Sequence, residues 1–330
     1  MRILSGVQPS GKLHIGNYFG AIRQFVELQT QGEGLYFIAD LHALTTVRDA
    51  EKMRGLVQDV ALDFLALGLD PSIATLFRQS DIPEIPELTW VLSTVTPMGL
   101  LERAHSYKDK VARGISPDHG LFAYPVLMAA DILMYRSDTV PVGKDQKQHV
   151  EITRDIAVKF NQTYCPGFDP HTGEGGVLKL PQPHILDESA VVPGVDGQKM
   201  SKSYANTIDL FAPDKQVKKR IMGIKTDSTP VDDPKDAAGC NVFALLKLFA
   251  PGDELAEIRS QYESGGTGYG DFKKRLLEYF MATFGEARAR RLELEKDPGY
   301  VESVLKKGAG EALAIAVEVM DDVRKATGLR

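Results

Sequence analysis

Ile3-Leu4-Ser5-Gly6-Val7-Gln8-Pro9-Ser10-Gly11-Lys12-Leu13-His14-Ile15-Gly16-Asn17 decides how the fold reads. Residues 3–7 form a short apolar run. Gln8-Pro9-Ser10-Gly11 is turn chemistry, because Pro presets its own φ and Gly reaches φ values closed to other residues. From Gly16 onward Tyr18, Ala21, Ile22, Phe25 and Val26 recur at three- and four-residue steps, the spacing of one helix face. Leu35-Tyr36-Phe37-Ile38-Ala39 then runs unbroken to Asp40, the pattern of a strand buried on both faces.

The alternation continues. Met53, Leu56, Val57, Val60, Ala61, Phe64 and Leu65 mark a second amphipathic helix ending at Gly68, and residues 74–77 read as a third strand. Strand, helix, strand, helix, strand predicts a doubly wound, right-handed parallel sheet of the Rossmann-like α/β class. Helical segments are predicted over 87–107 and 124–135, and a fourth strand with its turn over 139–143. Asp145 reads as the N-cap of a helix through Val150, Ile156, Ala157 and Phe160. Residues 165–198, rich in Pro and Gly, read as a connector with short strands. Beyond them the pattern is helical: Phe272, Leu276, Phe280 and Phe284 share one face, as do Leu313, Ala316, Val317, Met320 and Val323. The change places a boundary near residue 190, give or take 15 residues, between an α/β domain (1–190) and an all-helical one (191–330).

The 330 residues are 43% apolar and 25% charged, ordinary globular composition. Cys165 and Cys240 stand far apart, which argues against a disulfide scaffold and against a structural zinc site. The most apolar stretch, 121–135, is too short to span a bilayer and contains Pro125 and Asp131. The N-terminus lacks the apolar core of a signal peptide, so cytoplasmic residence is the expectation. The net charge of −6 is uneven: residues 201–330 carry 21 basic and 21 acidic side chains, and the first 200 carry 18 and 24. The sum therefore does not exclude a local basic surface for nucleic acid.

Two motifs carry chemistry. Ser10-Gly11-Lys12-Leu13-His14-Ile15-Gly16-Asn17 lies between the first strand and first helix, at the edge where open α/β sheets bind ligands. A helix start offers N–H groups to phosphate, and His14 and Asn17 add donors. By itself this could be a tight turn with an incidental His. Gly197-Gln198-Lys199-Met200-Ser201-Lys202-Ser203 follows a Pro/Gly-rich stretch and brings two ammonium groups, suited to charge on a leaving pyrophosphate. Standing alone it could be a solvated basic loop. In this order, at the two ends of an α/β domain, the two reinforce each other. A third signal is Asp131, in an apolar helical run and on one face with Tyr124 and Met128. A buried carboxylate needs a partner, either a ligand N–H or a cation such as Arg136.

His14-Ile15-Gly16-Asn17 and Lys199-Met200-Ser201-Lys202-Ser203 resemble the two signature motifs of class I aminoacyl-tRNA synthetases. The likeness extends to residues 5–11, 37–45, 124–133 and 140–146, covers essentially the whole chain, and is greatest to the bacterial tryptophan branch. Asn17 replaces the wider class's His, as is common in that branch.

The resemblance implies that Gln8, Pro9, Ser10, His14, Gly16 and Asn17 hold ATP, together with Gly143, Lys144, Asp145, Val192, Lys199, Met200, Ser201, Lys202 and Ser203. His14, Asn17, Lys199 and Lys202 would be the catalytic set. Asp131 would accept the indole N–H and Tyr124 and Gln146 would hold the amino group. Leu4, Met128, Val140 and Val142 would wall the ring, with His42 either lining the pocket or packing behind it. Mg²⁺ would arrive with ATP, and no zinc is implied. The expected partners are L-tryptophan, ATP, the cognate tRNA and a second copy of the chain, which would pack against the helical region near 80–120. Anticodon contacts would come from the helices after 190, with the clusters Lys218-Lys219-Arg220, Lys273-Lys274-Arg275 and Arg288–Arg291 as candidate phosphate contacts. A tyrosine-activating relative, a small-molecule nucleotidylyltransferase and an inactive RNA-binding paralogue are the alternatives. Gly265-Gly266-Thr267-Gly268-Tyr269-Gly270 follows a helix and reads as a connecting loop.

Overall fold

The computed structural model describes residues 1–104, 107–108, 118–142, 147–185 and 192–329, without the side chains of 142 and 183–185. Strand β1 (Arg2–Val7) runs through the turn at Gly11 into a helical segment, α1, built from Ile15–Asn17, a π turn at Tyr18–Ile22, and Arg23–Leu28. Then follow β2 (Glu33–Ile38), α2 (Ala50–Ala66), β3 (Ala74–Arg78) and α3 (Glu84–Ser93). Next come α4 (His119–Met134), β4 (Thr139–Val142), α5 (Lys147–Tyr164) and β5 (Gln182–Ile185). The C-terminal part holds α6 (Asp214–Met222), α7 (Asn241–Phe249), α8 (Gly252–Ser264), α9 (Tyr269–Leu294) and α10 (Pro298–Thr327).

The sheet order is β3-β2-β1-β4-β5, and every pairing is parallel. The chain winds outward from β1 to β3, then crosses back to place β4 on the other side of β1. The carboxyl ends of β1 and β4 thus flank the switch point, where such sheets open a crevice. The connector read at 165–198 supplies the edge strand β5.

Each face of the sheet has its own core. Along β2, Leu35 and Phe37 face one cluster with α3, α4, α5 and α10, while Tyr36 and Ile38 face the other with α1, α2 and α7–α9. This alternation is what a two-residue strand period requires when both faces are covered. Residues beyond 190 build no separate core. Ile208, Phe243, Leu276 and Phe284 share a cluster with Leu13, Phe19 and Phe64. The last helix crosses back onto the sheet: Ala312, Ala316, Val319, Met320 and Val323 are buried against β3, α3 and α4. Val317, read as part of that face, is 40% exposed.

Capping follows the sequence. Asp49 accepts from Lys52 N at the start of α2, Asp118 from Leu121 N at the start of α4, and Asp297 from Tyr300 N at the start of α10. The helical run predicted over 87–107 is interrupted after α3, and Met98–Glu102 forms its own short helix. Pro97, which cannot continue the preceding helix's hydrogen bonds, sits at the break. Asp145, read as a cap for α5, lies outside the described residues.

Candidate active site

The first motif leaves β1 at Gln8 and turns at Gly11, whose φ of +123° only Gly adopts without strain. His14 then takes an extended conformation, and the helical segment begins at Ile15. Asn17 Oδ1 accepts the backbone N–H of His14 at 3.1 Å, so Asn17 fastens the start of α1 and keeps its amide NH₂ as a donor. His14 is 5% exposed, and its Nδ1 has no hydrogen-bond partner among the described residues. Burial, and then the Lys202 ammonium, hold its pKa down at about 4. His14 is therefore neutral at pH 7 and offers a hydrogen bond rather than a charge.

The second motif forms a tight loop. Lys199 pairs back to Pro193, Met200 N donates to Val192 O, and Gly194 N donates to Gln198 O. Buried Asn206 staples it from inside: its Oδ1 accepts Ser201 N, and its Nδ2 donates to Asp196 Oδ1 and Lys199 O. Ser201 Oγ accepts Ser203 N. Val192 and Met200 turn inward, whereas Lys199, Lys202 and Ser203 are exposed.

The two motifs meet. Lys202 Nζ comes within 3.5 Å of Ser10 Oγ, across 192 residues of chain. The backbone that leaves the second motif runs antiparallel to the first, with Ile15 N donating to Ile208 O, Leu210 N to Leu13 O, and His14 paired with Asp209. Gly16 lies close to both: a Cβ there would stand 3.0 Å from His14 Nδ1 and 3.5 Å from Met200 Cβ. The Lys202 ammonium, the Ser10 hydroxyl and the neutral His14 imidazole thus come together, a donor set matched to a polyphosphate, and Lys199 lies exposed on the same loop as Lys202.

The acid cluster lies at the neighbouring carboxyl ends. Asp131 on α4 is 2% exposed, and burial pushes its carboxyl above the ordinary range. Arg136 is not its partner, since that side chain reaches Asp322. His42 Nε2 lies 2.9 Å from Asp131 Oδ2, and Gln79 Nε2 donates to both oxygens at 2.8 and 2.9 Å. Tyr124 packs edge-on to His42 and its hydroxyl lies 3.3 Å from His149 Nε2. Leu4 and Val140, from adjacent strands, are buried in the same core cluster as Asp131's helix, with Met128 packed against it. Gln8 Nε2 reaches His42 O at 3.4 Å and so joins the two centres. Gly143, Lys144, Asp145 and Gln146 lie outside the described residues, as does the side chain of Val142.

Gln79 escaped the sequence reading. Its signal was position: it opens the polar run Gln79-Ser80-Asp81 immediately past β3, and strand carboxyl ends are where such folds place functional groups. Its Oε1 also accepts Leu41 N, which ties it to the turn that carries His42.

The basic clusters divide. Arg288 spends its guanidinium on Leu210 O, Ala212 O and Asp214, and Arg291 on Asp59, Asp63 and Glu295. Each of these two side chains is 14% exposed and spent on structure, whereas Arg290 between them stays exposed. Lys273 donates to Met222 O, Lys274 pairs with Asp271, and Arg275 bonds Gln261.

Comparison with known proteins agrees with this geometry. The family described as tRNA synthetases class I (W and Y) matches residues 1–285. A tryptophan–tRNA ligase of Fusobacterium nucleatum is 54% identical over 328 residues, 99% of this chain and 98% of its own length. One from Rhodopirellula baltica is 54% identical over the full length of both. The crystal structure of tryptophanyl-tRNA synthetase from Campylobacter jejuni with ADP and tryptophan is 51% identical, covers 99% of this chain and 100% of its own, and superposes with a TM-score of 0.92. With a shared fold along its whole length and both motifs joined at one surface, the chain belongs to the class I tRNA synthetases of the tryptophan and tyrosine type.

Proposed function

We propose that the chain is a tryptophan–tRNA ligase that works in two steps, of which the first consumes ATP. In the first, the carboxylate of L-tryptophan attacks the α-phosphorus of ATP; the bond to the β-phosphate oxygen breaks, leaving tryptophanyl-adenylate and pyrophosphate. In the second, a hydroxyl of the tRNA's terminal adenosine attacks the activated carbonyl and AMP departs. The attacking carboxylate is already ionised at neutral pH, so the first step needs no general base. Acceleration comes from alignment and from cations placed where charge builds on the leaving group.

The observation that carries the reading is Lys202 beside Ser10, next to a buried acid at the switch point of the sheet. In this reading Gln8, Ser10, His14, Gly16 and Asn17 hold the triphosphate, and Lys199 and Lys202 offset its developing charge. Mg²⁺ arrives on ATP as part of the substrate. Asp131, steadied by Gln79 and His42, accepts the indole N–H. A pocket organised this way leaves a buried carboxylate short of a donor when phenylalanine enters, and rejects it strongly. The relative's bound ADP and tryptophan support both substrates. A second copy of the chain would cover Trp90 and Met98, which are 73% and 64% exposed in the 80–120 region. Among the described residues no helix is long and apolar enough to cross a membrane; we place the enzyme in the cytoplasm with its tRNA.

The test is amino-acid-dependent exchange of labelled pyrophosphate into ATP. Tryptophan supports it and tyrosine does not. Exchange with tyrosine alone, or with neither, overturns the assignment.

A further inference from the structure

We propose that the exposed face of α6 is a docking site for the phosphate backbone of the tRNA, immediately behind the second motif. This rests on the function proposed above. On α6, Val217 and Ile221 are buried. Lys215, Lys218 and Lys219, at i, i+3 and i+4, occupy the opposite, solvent-facing side, with Arg220 on the flank. None of the four has an ion pair among the described residues, and Asp214, the helix's acidic residue, is already held by Arg288. Lys273, whose Nζ bonds Met222 O at the helix's C-terminal end, adds a further cation beside them. Four cations crowded on nine residues repel one another unless a polyanion screens them, and an RNA backbone does so while releasing its counterions. Of the three candidate basic clusters this is the one whose members all lack an ion pair among the described residues: Arg288 and Arg291 face inward with Arg290 left exposed between them, and Lys274 pairs with Asp271.

Position favours RNA over an acidic protein. Asp214, the first residue of α6, comes only five residues after Asp209, which pairs with His14. Beyond its end, Lys225 N donates to Val195 O, back in the second motif's loop. A strand anchored on α6 is therefore held next to the loop that touches the nucleotide, where the acceptor end must arrive for the second step. Arg288 fixes the helix's N-terminal end through Asp214, so the surface is preorganised rather than floating.

The test compares the full-length double variant Lys218→Ala/Lys219→Ala with Lys306→Ala/Lys307→Ala, which removes the same charge from α10. Ala keeps both helices. The probe is an unmodified transcript of the tryptophan tRNA. Pyrophosphate exchange stays within about twofold of the parent in both, which separates this test from that of the function itself. With the α6 variant the KM for tRNA rises about tenfold or more at low salt, and the slope of log(kcat/KM) for charging against log salt shrinks by about two. The α10 variant changes neither. The proposal is overturned if charging by the α6 variant is unaltered, as it would be if the face met an acidic protein. It is equally overturned if both variants lose charging alike, which would make the effect one of net charge.

Discussion

Gln79, at the end of β3, turns one amide nitrogen to both oxygens of Asp131 on α4, 52 residues away. Replacing it with Leu leaves a buried carboxylate with His42 as its remaining side-chain partner among the described residues. An acceptor stranded in this way costs about 1–3 kcal/mol. Burial already raises the Asp131 pKa, and losing the amide raises it further. We expect Gln79→Leu to lower the urea midpoint, to raise the KM for tryptophan, and to move the acid limb of the exchange pH profile toward neutrality. Gln79→Glu should act more strongly, because two carboxylates in contact cannot both ionise. A Leu variant with the parent's KM and pH profile would remove Gln79 from the site.

His14 yields a prediction with a definite sign. Its pKa is lowered from 6.5 to about 4 by burial first and by Lys202 second. Between those values the unfolded chain binds the proton that the folded chain refuses. Stability conferred by the neutral imidazole is therefore complete above about pH 6.5 and is lost as pH falls toward 4. Urea unfolding of the parent between pH 7 and 4 should show this decline, and His14→Gln should flatten it. Lys202→Met removes the nearby charge, so the imidazole should then titrate at higher pH, as read by its NMR resonances. An unchanged titration in Lys202→Met would mean that the two side chains do not share a field.

Much of this was legible beforehand, and the reasons are local. The run at 35–39 reads as a doubly buried strand because no polar residue interrupts it, and the Pro9–Gly11 turn can only be a corner. Asp131 announced itself by its apolar neighbours. What stayed hidden depends on contacts between distant elements. An amphipathic pattern says that α10 buries a face; it does not say that β3, more than 200 residues earlier, receives it. Arg288 and Arg291 look like any surface cluster until Asp63 and the carbonyls of Leu210 and Ala212 are found against them. The π turn at Tyr18–Ile22 has no sequence signature either; the structure places it directly after the first motif.

Arg288 should report on the second motif without touching the nucleotide. Its guanidinium holds Leu210 O, Ala212 O and Asp214, and Leu210 N in turn binds Leu13 O beside the first motif. Arg288→Ala strands two carbonyls and frees the segment that carries Lys202's exit from the loop. We expect a stability loss of about 2–3 kcal/mol and a rise in the KM for ATP, with the KM for tryptophan nearly unchanged. Arg288→Lys should restore only part of this, since a shorter side chain with a point-like ammonium lacks the planar fork that reaches all three partners. Equal effects on both substrates would show a general loosening and not a loop held in place.

Gly308 tests the seating of α10 on the sheet. A Cβ at that position would lie 2.1 Å from Leu76 O and 2.7 Å from Leu76 C, both backbone atoms of β3. Leu76 is paired with Tyr36 of β2, so it cannot withdraw without breaking register, and the helix has to lift instead. Two residues further on, Gly310 is exposed and a Cβ there meets nothing within 4 Å. Ala is the better helix former by about 1 kcal/mol, which is all that Gly310→Ala should register, as a gain. Gly308→Ala should instead lose about 3 kcal/mol, because overpacking against a fixed backbone outweighs propensity. The loss should reach the site as well, since Gln79 follows directly on β3: the KM for tryptophan should rise in Gly308→Ala and stay put in Gly310→Ala. Thermal unfolding and pyrophosphate exchange on the two variants decide it. If both are stabilised alike, the last helix does not rest on the third strand.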